Sequence, residues 1–426
     1  MFLSRISINP RKYLSNDVAK AVTALFGANL FTAGVGVLGA LIQGIFVPAD
    51  ELGFFKQFGI ISSYLFFLHL GTFHAIERLY PYYKGKGEEQ KAKEIVEHGN
   101  SWIISVCFLI TLVFAIFSVA CFIKNDWKSG LCWIVQIITT WVSLYGGFLA
   151  ATYRSGKEFQ RMAKANIYNP IFSLLTIPLY WVQPFWAMAL RNCTGIATTI
   201  RLHQKRPVRV KFRFNGKGLL RLITEGLPLF SASYITTTGL DAIRGSIIVA
   251  VLGLTDFGMW SFSYQVLTIA LMLPTAITAV YVPRVIEKYA STDSIRESLN
   301  IAKIPIKTGL LLSLLIVPLS VVLVYYLLPI ILPNYKSATM LIIALVFALP
   351  LKLTDIFSSV LIAAKKKETL NTIAILGAIT QISLAVLGVY LDFGIISFAV
   401  SYLAGYVVRA GCYLLSIRRM INNSVS

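Results

Sequence analysis

Stretches of about twenty mostly apolar residues recur along the whole chain, and a helix needs about that length to cross a bilayer. They fall at about 21–47, 53–76, 101–123, 131–152, 165–182, 185–201, 223–253, 257–283, 304–332, 337–363, 369–391 and 394–416. In lipid the backbone finds no water to bond, so each stretch is expected to be helical. The chain is 56% hydrophobic and 14% charged, whereas soluble domains run near about 25% charged. The expected fold is an all-α integral membrane protein of about twelve transmembrane helices.

The basic residues test that count. If both ends lie on one side, that side receives the tail 1–20, the links near 77–100, 154–164, 201–221, 284–307 and 365–368, and the C-terminus. Together these carry 31 of the 39 Lys and Arg residues. The opposite links carry Lys124, Lys128 and Lys336, and five more basic residues lie within spans. Short basic loops stay in the cytoplasm, so both termini are expected to be cytoplasmic in the inner membrane of a bacterial cell. Met1 to Asn16 is polar and basic and lacks the apolar core of a signal peptide. The net charge of +20 then reflects loops facing anionic lipid headgroups rather than nucleic acid, even at the run Lys205 to Arg213.

Two motifs invite other readings. Gly34-Val35-Gly36-Val37-Leu38-Gly39 fits GxGxxG, but a dinucleotide site needs a βαβ context, and this motif sits inside an apolar span. With Ala40 and Gly44 it is expected to allow close helix approach or bending. Cys107, Cys121, Cys132, Cys193 and Cys412 lie in or beside apolar stretches without a CxxC pair. They read as packing residues, not as a disulfide framework or a metal site.

Spans 2 and 8 repeat one another. Glu51-Leu52-Gly53-Phe54-Phe55 matches Asp256-Phe257-Gly258-Met259-Trp260, and each span closes on an arginine with a proline nearby, Arg78 with Pro81 and Arg284 with Pro283. An even number of spans separates the copies, so both run in the same direction. That implies two six-helix halves related by a pseudo-two-fold axis along the membrane normal, a transporter layout with the site between the halves. The halves are expected at 1–202 and 223–426, joined by a basic cytoplasmic linker at 203–222.

Asp241-Ala242-Ile243-Arg244, Leu252-Gly253, Phe257 to Tyr264, Leu273-Pro274 and Val282-Pro283-Arg284 resemble spans 7 and 8 of the polysaccharide transporters. Gly53, Gly71 and Arg78 are similar to the first-half equivalent. These transporters belong to the multidrug/oligosaccharidyl-lipid/polysaccharide exporter superfamily, and within it the length and basic interior look most like the Wzx-type O-antigen flippases. The resemblance implies flipping of an undecaprenyl-diphosphate-linked oligosaccharide unit from the cytoplasmic to the periplasmic leaflet. It implies membrane lipids and glycan-assembly proteins, such as the polymerase, as partners.

Charge inside a membrane is expensive and usually faces a cavity or a partner. At helical spacing, Lys56, Gly59, Ser63, His74 and Arg78 can share one stripe of span 2. Tyr234, Thr237, Asp241, Arg244 and Gly245 can do so on span 7. Span 6 adds Arg191, span 10 offers Lys352, Asp355 and Ser359, and span 12 offers Tyr402, Tyr406 and Arg409. Spans 3 and 9 lack interior charge and are expected to support the bundle from outside. Lys56, Arg78, Arg191, Arg244, Arg284, Lys352 and Arg409 are the candidate cargo contacts. Guanidinium groups suit a diphosphate, which needs compensation in a low-dielectric cavity. Each cation also admits a structural reading, as ion pair, surface anchor or snorkelling side chain.

Asp241, Asp355 and His74 are the candidate sites for a coupling H⁺ or Na⁺, and no other cofactor, no metal and no nucleic acid is expected. A multidrug or cation exporter of the same superfamily is the nearest alternative, although such an exporter should place carboxylates in its cavity. A membrane-embedded glycan-assembly enzyme would need a larger external loop or a catalytic constellation, so the chain reads as a transporter rather than an enzyme.

Overall fold

The apolar stretches become twelve helical units among the described residues, 16–423, of a computed structural model. They are α1 (Asn16–Phe46), α2 (Ala49–Gly85), α3 (Glu89–Ile123), α4 (Trp127–Ser155), α5 (159–181), α6 (184–204), α7 (216–251), α8 (Leu254–Thr292), α9 (Ile295–Ile331), α10 (Pro333–Ala363), α11 (Lys367–Tyr390) and α12 (Ile396–Asn423). The first fifteen residues of the basic tail lie outside the described residues. By length and composition, eight of the described helices can cross a membrane: α1 to α4 and α9 to α12. The remaining units, α5 to α8, are where Arg191, Asn192, Asp241 and Arg244 sit. α9 lies on the outside as expected of span 9, with 6% of its apolar window buried against 50% for α10 and α12; α3, at 28%, is more buried than α9.

The repeated motifs of spans 2 and 8 meet each other. A Cβ on Gly53 would run into the backbone of Leu254 and Gly258, and a Cβ on Gly258 would run into the backbone of Ala49 and Gly53. Residues 49 and 53 correspond to 254 and 258 at the repeat offset. Reciprocal contact of equivalent residues is what a two-fold relation requires. Both helices also start at the same end of the bundle, as an axis along the membrane normal demands. Around this crossing, Gly44 of α1 lies against Phe262 and Leu332, and the Tyr335 hydroxyl donates to the Val47 carbonyl at 3.1 Å. The two halves are therefore closed on one another at the end opposite the basic links.

Several helices are interrupted. α2 passes through a 3₁₀ turn at Phe66–His69 and then through Leu70 and Gly71, with φ of 48° and 77°. Glycine is required at 71 twice over. The left-handed backbone favours it, and a Cβ there would strike Gly226 of α7. Groups freed by the break are bonded within the protein, as lipid demands: Gly71 N–H donates to His69 Nδ1 at 3.1 Å, and Trp102 Nε1 donates to the Leu68 carbonyl at 2.9 Å. α7 breaks at Thr237, with φ −129° and ψ −104°. α4 carries a π-helical turn at Val142–Gly146.

Between α6 and α7 the linker is non-helical over 206–215. It is tied to the first half: Arg213 N–H donates to Ser101 Oγ at 2.7 Å and its guanidinium pairs with Glu94 at 3.3 Å. Lys205, Arg209 and Lys211 stay exposed.

Candidate functional site

Two adjoining cavities are lined almost entirely by the first half, each reached by one residue of the second. The larger, about 330 Å³, is lined by Lys56, Ser62, Gln136, Thr140 and Asn192, with Thr238 from the second half. The smaller, about 210 Å³, is lined by Gln43, Lys56, Asn169, Arg191 and Asn192, with Gln265 from the second half. Lys56 and Asn192 form the shared wall, joined by a hydrogen bond of 3.5 Å from Nζ to Oδ1. Both residues lie about two turns into their helices from the closed end of the bundle.

Two cations in this small space are not matched by acid. Among the described residues neither Lys56 nor Arg191 makes an ion pair, and no carboxylate lines either cavity. Arg191 Nη1 is buried without a hydrogen-bond partner. The guanidinium occupies the space over Gly39, where a Cβ would coincide with it. The last glycine of the GxGxxG run therefore admits a charged side chain rather than another helix. Gly34 and Gly36 face open space.

The cations of the second half are held differently. Arg244, 4% exposed, donates to Asp241 at 2.6 Å and to Gln381 at 2.6 Å, and it sits between the rings of Trp260 and Tyr402. Tyr264 donates its hydroxyl to the other Asp241 oxygen at 3.0 Å. Deeper in the half, Asp355 bridges Lys352 at 3.0 Å and Arg409 at 2.8 Å, and Lys352 also donates to the Tyr406 hydroxyl at 2.8 Å. Gly377 and Gly405 leave room on facing helices for Arg409 and Gln381. Asp241 with Arg244, and Asp355 with Lys352 and Arg409, thus form two ion-paired clusters within the second half in which every cation has a carboxylate partner, and none of these residues lines the two cavities.

The continuous stripe expected on α2 does not form. Lys56, Gly59 and Ser63 line the larger cavity, but the break at Leu70 and Gly71 shifts the helix phase beyond it. His74 instead lies against His69 and Phe230. Arg78 is exposed and pairs across the halves with Glu225 at 3.0 Å. Its repeat partner Arg284 is exposed over the Tyr281 ring. Asn192, Gln136 and Gln381 carry no charge, so little in the residue pattern singles them out. Their only signal is an amide inside an apolar stretch. The five cysteines are free, and no cluster able to hold a metal occurs among the described residues.

No known family model matches the chain, and no curated protein sequence does. Solved structures do. A multidrug resistance MATE family transporter of the MOP superfamily, in its inward-facing conformation, superposes with a TM-score of 0.72 at 12% identity, over 94% of this chain and 98% of that one. An outward-facing conformation under the same description superposes at 0.61 and 17% identity, over 95% and 96%. A MOP superfamily transporter from Pyrococcus furiosus gives 0.61 at 17% identity, over 95% and 96%. All three are transporters, not enzymes, and this chain has their fold: twelve helices in two six-helix halves.

Proposed function

We propose that the chain is a flippase for an anionic lipid-linked saccharide, moving undecaprenyl-diphosphate-linked oligosaccharide units across the inner membrane by alternating access. The observation that carries this reading is the pair Lys56 and Arg191, two cations lining one cavity with no carboxylate in its wall. An unpaired buried charge is costly, so a site that keeps two of them invites a dianionic head group. The polyprenyl tail stays in lipid outside the gap between the halves. The basic links face the cytoplasm and the Gly53–Gly258 crossing closes the periplasmic end, so the cargo enters from the basic side. Asp355 supplies the coupling step, because binding H⁺ or Na⁺ there would loosen its hold on Lys352 and Arg409, whereas Asp241 serves to hold Arg244.

A second reading, a multidrug or cation exporter, is favoured by the multidrug resistance transporters that share the fold. Cavity polarity separates the two. The Pyrococcus furiosus transporter is itself described as having a binding pocket of reverse polarity that suggests a different function. Deleting the protein is expected to block surface glycan assembly while lipid-linked repeat units accumulate on the cytoplasmic side. Unchanged glycan with raised sensitivity to cationic dyes would select the exporter instead.

A further inference from the structure

The two cavities differ in chemistry. The smaller holds Arg191 and shares Lys56. The larger carries Lys56 and Asn192 at the shared wall, and its other polar lining is neutral, Ser62, Ser63, Gln136, Thr139, Thr140 and Ser143 from the first half and Thr238 from the second. These groups are organised. Ser62 donates to Gln136 Oε1 at 2.7 Å, Thr139 donates to the same oxygen at 3.2 Å, and Thr140 donates to Ser62 Oγ at 3.4 Å. The network occupies the Gln136 carbonyl and leaves its amide N–H groups to donate elsewhere. Ser143 stands on the π-helical turn of α4, and such turns cluster at functional sites. Phe66 and the buried Phe55 add aromatic carbon to the same wall. At about 330 Å³ the space falls in the range of small-molecule pockets, about 300–1,000 Å³.

Resting on the flippase reading, we propose that the larger cavity is a saccharide subsite for an uncharged, hydroxyl-rich sugar, and that the smaller is the diphosphate seat. Hydroxyl and amide groups in a pre-bonded array match sugar hydroxyls as both donors and acceptors, and aromatic faces take the C–H side of a ring. Lys56 at the shared wall would mark the junction of sugar and diphosphate. The subsite would then distinguish a finished cargo from a bare carrier lipid.

The test is equilibrium binding to the full-length protein in lipid nanodiscs, with two probes: undecaprenyl diphosphate, and undecaprenyl diphosphate bearing a neutral disaccharide. Wild type should bind the glycosylated probe more tightly. Gln136→Leu should weaken that probe by roughly ten-fold, the size of one or two lost buried hydrogen bonds, and leave the bare diphosphate within about two-fold. Thr140→Val, which keeps the side-chain shape, should act in the same direction and guards against a folding defect in the first variant. Equal loss of both probes, or no loss of either, would overturn the subsite while leaving the flippase reading intact. Failure of wild type to bind either probe would overturn the flippase reading and the subsite with it.

Discussion

Replacing Arg244 with alanine should sharply lower the amount of folded protein and abolish transport. The guanidinium is 4% exposed, bonds Asp241 and Gln381 at 2.6 Å each and lies between Trp260 and Tyr402. Removing it takes one partner from Asp241, whose side chain is 36% exposed and keeps the Tyr264 hydroxyl, and leaves the buried Gln381 amide oxygen without its donor, a loss of about 1–3 kcal/mol added to the lost packing of the guanidinium. Arg244→Lys keeps the charge but cannot span both partners, so a partial defect is expected. The informative change is Asp241→Asn with Arg244→Gln, which removes both charges and keeps much of the volume. Arg244 does not line either cavity, so this double variant should be made at near-normal levels and retain substantial transport. Normal production with no transport would instead make Arg244 a cargo contact. Thermal unfolding in detergent and transport in proteoliposomes read the two effects separately.

Gly53→Val should reduce transport by at least an order of magnitude without preventing insertion. The crossing with α8 leaves no room for a Cβ against Leu254 and Gly258, and neither backbone can yield as a flexible side chain would. The halves should then fail to close at the end opposite the basic links. Val47, fully buried beneath that contact, provides the readout. A single cysteine at 47, in a chain lacking the five native cysteines, should react with a membrane-impermeant thiol reagent far faster in the Gly53→Val background. Gly258→Val should behave alike, because the repeat makes the two positions equivalent. Unchanged labelling in both would mean that the crossing is not a gate.

Much of this architecture was legible in the residues. Apolar stretches gave the twelve units because lipid forces long helices. The Gly53 and Gly258 motifs gave the repeat because close backbone crossing tolerates only glycine. The candidate site was half legible. Lys56 and Arg191 stood out as charges in apolar surroundings, as did the pairs at Asp241 with Arg244 and Lys352 with Asp355. Their sorting into a cavity without carboxylates and two ion-paired clusters depends on contacts between helices far apart in sequence, such as Arg191 over Gly39 or Gln381 with Arg244. The stripe on α2 failed for a local reason: helical periodicity assumes an unbroken phase, and Leu70 and Gly71 reset it. The breaks in α4 and α7 likewise lie in stretches whose apolar character continues across them.

On the proposed reading, the cavity shared by Lys56 and Arg191 receives an anion. Its most direct test compares binding of bare undecaprenyl diphosphate and of a monocationic dye to wild type and to the Lys56→Gln, Arg191→Gln double variant, at fixed ionic strength. Two lost charge-assisted bonds, each of about 1.5–3 kcal/mol, should weaken the diphosphate by about 100-fold or more and leave dye binding unchanged or stronger. Unchanged diphosphate binding in the double variant would contradict the account, most sharply if wild type bound the dye more tightly than the diphosphate.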